Sequence, residues 1–113
     1  MNKIKFDEKI REITDKIVKN YKPEKVVMFG SFASGKQNKD SDIDLLIVKD
    51  SKKNRHEREV ELRKIFFPSS IAIDFLVYTP AELEKKIKQE KNLFCEDIIK
   101  NGITLYANDR IHS

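Results

Sequence analysis

Asp42 and Asp44 flank Ile43 at the head of an apolar run, DIDLLIV, and a third aspartate, Asp74, interrupts another, IAIDFLVY. Two acids two positions apart leave the same face of a strand. Carboxylates held side by side repel unless a cation lies between them. Their oxygens are the hard ligands that Mg²⁺ prefers, and that ion takes few protein ligands, leaving positions for substrate phosphates. If the strand bearing Asp74 lies beside the one bearing Asp42 and Asp44, the three acids form a cluster able to hold two metal ions for in-line phosphoryl or nucleotidyl transfer. Gly30-Ser31 supplies the complementary half. Ten residues, 32–41, separate Ser31 from Asp42. Gly30 closes an apolar run and lets backbone approach a phosphate. The Ser31 hydroxyl and the N–H groups of a following helical turn can bind phosphate oxygens. Lys36 and Lys39 either add charge near those phosphates or simply solvate a loop. Each part alone is ordinary; their order and spacing together point to phosphate chemistry.

Regular elements must hold these residues in place. Ile4, Phe6, Ile10, Ile13, Ile17 and Val18 follow helical spacing. The helix they predict runs to about Asn20 and ends before Pro23, which pushes Lys22 toward extended backbone. Lys25 to Phe29 reads as a buried strand and Ile43 to Val48 as a second, apolar on both faces apart from its leading acids. Between them, Ser31 to Ser41 predicts a short helical turn and then a loop. Val60, Leu62, Ile65 and Phe66 mark a helix over roughly 54–67, stopped by Pro68. Ile71 to Tyr78 is the third strand. Thr79, Pro80 and Glu82 carry a helix start with a capping box. A last helix through Leu93, Phe94, Asp97 and Ile98 stops at Gly102, and Ile103 to Tyr106 can close the sheet. The expected fold is a small α/β (α+β) domain, a mixed β-sheet flanked by helices, spanning 1–113 as one unit.

Composition removes several other classes. The chain has 113 residues, 39% of them hydrophobic and 37% charged, enough apolar content for a folded core and against a disordered chain. The net charge of +4 permits an anionic ligand without demanding nucleic acid. Cys95 is the single cysteine, which excludes an internal disulfide framework and reads as a small buried hydrophobe beside Phe94. His56 and His112 lie far apart with no cysteine partner, so a zinc site has little support. No apolar run approaches the ~20 residues of a membrane span, and the first residues do not form a signal peptide. The expectation is a cytoplasmic protein. Arg55-His56-Glu57-Arg58 with Arg63-Lys64 reads either as an RNA surface or, more simply, as a solvated helix face.

At GSFASGKQNKDSDIDLLIV the chain resembles the DNA polymerase beta nucleotidyltransferase superfamily and, more narrowly, the minimal nucleotidyltransferase (MNT) group. That signature is Gly-Ser, a spacer of about ten, Asp-X-Asp and a later third acid. IDFLVYTP resembles the strand carrying the third acid, at Asp74, and LFCEDIIKNGITLYA the usual ending of the group. Many relatives carry Arg at the position of Ser34 or Phe32; this chain has neither, and Lys36 is the nearest replacement. The resemblance implies a polymerase-beta-like fold with two Mg²⁺ ions on Asp42, Asp44 and Asp74. It places the triphosphate of ATP over Gly30-Ser31, and AMP would pass to an acceptor hydroxyl. It also implies a HEPN-domain toxin as partner, silenced by AMP transfer to a tyrosine, because bare MNT domains work as antitoxins with the acceptor on another chain. The alternatives are an antitoxin that acts by binding alone, and a transferase for a small molecule or RNA end. Homo- or hetero-oligomers fit either case.

Overall fold

The computed structural model describes residues 3–30, 33, 35, 42–66 and 72–108. Helix α1 (Lys3–Tyr21) leads into strand β1 (Lys25–Phe29), and β2 (Ile43–Val48) is followed by α2 (Arg55–Ile65) and β3 (Ile73–Tyr78). Helix α3 (Pro80–Glu84) continues as a π-helical segment (Lys85–Gln89); α4 (Leu93–Asn101) and β4 (Ile103–Ala107) complete the order. The strands form one sheet in the order β3-β2-β1-β4. β1 is antiparallel to both of its neighbours, while β2 and β3 run parallel. The expected mixed sheet flanked by helices is therefore the observed one.

Strand alternation divides the core in two. Val26, Met28, Ile43, Leu45, Ile47, Ile73, Phe75 and Val77 face α1 and α2, where Ile10, Ile13, Ile17, Tyr21 and Leu62 meet them. Val27, Leu46 and Tyr78 face the other way, against Cys95 and Ile98 of α4. Cys95 is thus the buried small hydrophobe its context predicts, and burial pushes its thiol pKa up. Asp44 and Asp74 share the face of Leu46, Leu76 and Tyr78, by the same alternation.

The helix ends correct two details. Lys22 is not extended: it sits at φ 53, in the left-handed region. Pro23 bars continuation of the helix, and the chain leaves through a left-handed cap in which the Lys22 N–H donates to the Val18 carbonyl at 3.2 Å. Lys49 Nζ donates to the Tyr21 carbonyl at 2.7 Å and to that of Lys22 at 3.3 Å. Gly102 does end α4, but at φ −71 rather than in a left-handed turn. Close packing requires the glycine there: a Cβ would run into the Ile98 carbonyl and the Val27 side chain. The capping box at Thr79 and Glu82 is present in both directions.

Arg58 departs from both sequence-based readings of its cluster. It is buried, and its guanidinium donates to the carbonyls of Lys53 (2.8 Å) and Val77 (3.1 Å) and to both carboxylate oxygens of Glu82, at 2.7 and 3.1 Å. It ties the start of α2 to the end of β3 and the start of α3. Arg55, His56, Arg63 and Lys64 remain exposed. Among the described residues, no helix is long and apolar enough to cross a membrane.

Candidate active site

The sheet register builds a row across three strands. Phe29, at the end of β1, is the partner of Asp44 on β2, and Asp44 is the partner of Asp74 on the parallel strand β3. Neighbouring strands are about 4.8 Å apart, so the two carboxylates are side by side on one face. Asp42, at the mouth of β2, lies two residues ahead on the same side. Asp42 and Asp74 are exposed and Asp44 is half-buried. Asp74 is therefore not the buried carboxylate that its apolar flanks suggest. Ile73 and Phe75 turn into the α1 core, and Asp74 points out of the opposite face.

Burial raises the Asp44 pKa above the ordinary aspartate value; the negative charges of Asp74 and then Asp42 raise it further, as does a hydrogen bond with Asp74. Such a bond between two carboxyls needs a proton on one of them. The site is a carboxylate pair under repulsion, relieved by a shared proton or by a cation.

Gly30 fixes the pair from the other side. It takes φ +77, and a Cβ placed on it would collide with Oδ2 of Asp44. Only glycine permits both this turn and so close an approach of backbone to carboxylate. Gly35 also has φ +77. Ser31, Lys36, Lys39 and Ser41 lie outside the described residues.

The donor set suits a hard divalent cation: carboxylate oxygens, two of them adjacent and a third carboxylate within electrostatic reach. Among the described residues, no three acidic, histidine or cysteine side chains already close on a common point as a ready-made metal cage.

Sequence reasoning passed over one feature of this site, an aromatic pair. The rings of Phe29 and Phe94 meet edge to face, with centroids 5.6 Å apart and planes at 68°. Phe94 remains 52% exposed beside Leu93 at 78%. The position of Phe29 immediately before Gly30 was its only signal in the sequence. The basic residues of α2 belong to the opposite layer, where Leu62 of that helix joins the α1 core.

The fold and the carboxylate row define a class. Residues 8–111 match the family described as "Polymerase beta, Nucleotidyltransferase", so the chain belongs to that nucleotidyltransferase family. Two solved structures share the fold. One, from Sulfolobus solfataricus, is described as a nucleotidyltransferase; it aligns at a TM-score of 0.60 and 21% identity over 89% of this chain and 79% of that one. The other is a toxin–antitoxin with AMP-PNP, aligning at a TM-score of 0.58 and 17% identity over 89% of this chain and 76% of that one. No curated protein matches the chain.

Proposed function

We propose that this protein is a Mg²⁺-dependent adenylyltransferase that acts as an antitoxin, moving AMP from ATP to a hydroxyl of a partner toxin. The observation that carries this reading is the in-register pair Asp44 and Asp74, with Gly30 packed against Asp44. Family membership supports nucleotidyl transfer, and the toxin–antitoxin structure with AMP-PNP supports the biological setting.

In this reading Asp42, Asp44 and Asp74 would hold the divalent cations, with the triphosphate bound on the Gly30 side and the acceptor hydroxyl near Asp74. When bound, those cations supply neutralisation of the triphosphate and acidity to the attacking hydroxyl. Asp74 orients that hydroxyl and takes its proton. The hydroxyl oxygen forms a bond to the α-phosphorus, the bond from that phosphorus to the bridging oxygen breaks, and pyrophosphate leaves. Gly30 and Ser31 cradle the phosphates, with Lys36 adding charge. The acceptor is a tyrosine of a HEPN-domain toxin, residues 1–113 work as one domain, and the reaction takes place in the cytoplasm.

Labelled ATP, Mg²⁺, this protein and the product of the adjacent gene provide the test. Label should enter the neighbour with wild type and not with Asp44→Ala. No label with either sinks the transferase antitoxin. Full neutralisation of the toxin in cells by Asp42→Ala/Asp44→Ala would instead establish an antitoxin that acts by binding alone.

A further inference from the structure

On the carboxylate face, β1, β2 and β3 contribute Phe29, Asp44 and Asp74 in one row, each the register partner of the next. Directly paired side chains have Cβ atoms ~5 Å apart. Phe94 packs against the Phe29 end of that row, with its ring 5.6 Å from that of Phe29. Phe94 is thus one ring contact away from the residue paired with Asp44. The row also has a direction. Asp74 lies at the end where the acceptor hydroxyl would lose its proton. Gly30 follows Phe29 at the other end, so the nucleotide lies toward β1.

A single exposed leucine needs no explanation. An aromatic ring is different when it is half exposed and packed edge to face on a second ring that is itself in register with a carboxylate pair. The edge-to-face contact fixes the ring's orientation while leaving apolar area open. A triphosphate has no use for such a surface. The planar base does, because a base can stack on an aromatic face whatever its hydrogen-bonding edge.

We propose that Phe94, braced by Phe29, is the stacking platform for the nucleobase of the transferred nucleotide, with Leu93 widening its rim. This rests on the nucleotidyl-transfer reading above. Because stacking does not read the base edge, ATP and GTP should bind comparably.

Calorimetric titration of Mg·ATP and of Mg·tripolyphosphate, which lacks a base, tests the platform. Phe94→Ala should weaken ATP about ten-fold and leave tripolyphosphate within about two-fold. Phe94→Trp should keep ATP affinity. The chain has no tryptophan, so the new indole is a lone reporter, expected to be quenched by ATP and not by tripolyphosphate. ATP affinity unchanged in Phe94→Ala, or equal losses for both ligands, overturns the proposal. So does Phe94→Ala that binds ATP normally but no longer associates with the partner toxin, which would assign the patch to protein docking. Wild type binding both ligands equally well removes the platform and spares the transferase. Wild type binding neither removes the transferase reading as well.

Discussion

Burial and the charges of Asp74 and Asp42 make the ionised form of Asp44 unfavourable in the folded chain. The folded state holds that proton more tightly than the unfolded chain does. Its stabilising effect is complete below the ordinary value of 3.8 and is lost as pH rises through the higher folded value. Asp44→Asn removes the repulsion and can still donate to Asp74. It should raise the melting temperature at pH 7 by roughly 2–4 °C while abolishing nucleotidyl transfer. Thermal denaturation at pH 7 and 3.5 checks the sign: the gain should vanish at the lower pH, and a variant less stable than wild type at pH 7 would refute the account. Gly30 gives a second test at this scale. Gly30→Ala combines a left-handed φ with a collision at the Asp44 carboxylate, and should cost about 1–2 kcal/mol in urea denaturation. Adding Asp44→Ala removes the collision but not the φ penalty, so the double-mutant cycle should show less than additive loss.

At the scale of elements, what the sequence makes legible depends on how local the cause is. Lys25 to Phe29 and Ile43 to Val48 announce buried strands because their neighbours in sequence carry the pattern, and the observed strands keep those bounds. Thr79 and Glu82 announce a cap whose two partners lie only three positions apart. The side-by-side placement of Asp44 and Asp74 depends on β3 lying beside β2, a pairing across a helical crossover that spacing alone leaves conditional. Lys22 and Gly102 are legible as stops but not in their geometry. A left-handed lysine and an extended glycine follow from what packs against them, Lys49 in one case and Val27 in the other. Arg58 is the least legible, because its partner Glu82 belongs to another element. A charged helix face reads as solvated until that partner is known. Arg58→Ala should cost about 3 kcal/mol, the low end for a broken buried pair, since the Glu82 side chain is 45% exposed and regains water. The hydrogen bond from Arg58 is the main cause holding the Glu82 pKa below 4.5. Stability from Glu82 is therefore present above pH 4.5 and lost as pH falls through the lower folded value. Arg58→Ala should flatten that acid limb in a series of denaturation curves from pH 6 to 3; an unchanged limb would mean that Glu82 draws its shift from elsewhere.

At the scale of the whole molecule, the three carboxylates stand out against a chain of net charge +4. General attraction can bring a polyanionic nucleotide to such a surface, yet the row proposed to receive its phosphates is itself negative. Under the proposed function, ATP alone would meet Asp42, Asp44 and Asp74 at distances where like charges repel, and Asp44 already shows the effect of its own neighbours. A divalent cation reverses both repulsions together, that within the carboxylate pair and that between the pair and the triphosphate. Metal and nucleotide should therefore bind with strong positive coupling, and each should raise the affinity of the other by the same factor. Ligand binding to the folded state alone adds about 2.7 kcal/mol at a hundred times the dissociation constant, several degrees in melting temperature for a chain of this size. Thermal shift should thus be large with Mg²⁺ and ATP together, small with Mg²⁺ alone and absent for ATP in EDTA. Asp44→Asn should lose most of the coupling, although its starting melting temperature is higher. If ATP in EDTA stabilised the wild type as much as Mg·ATP, the nucleotide would be binding away from the row, and the carboxylates could not be holding the metal for it.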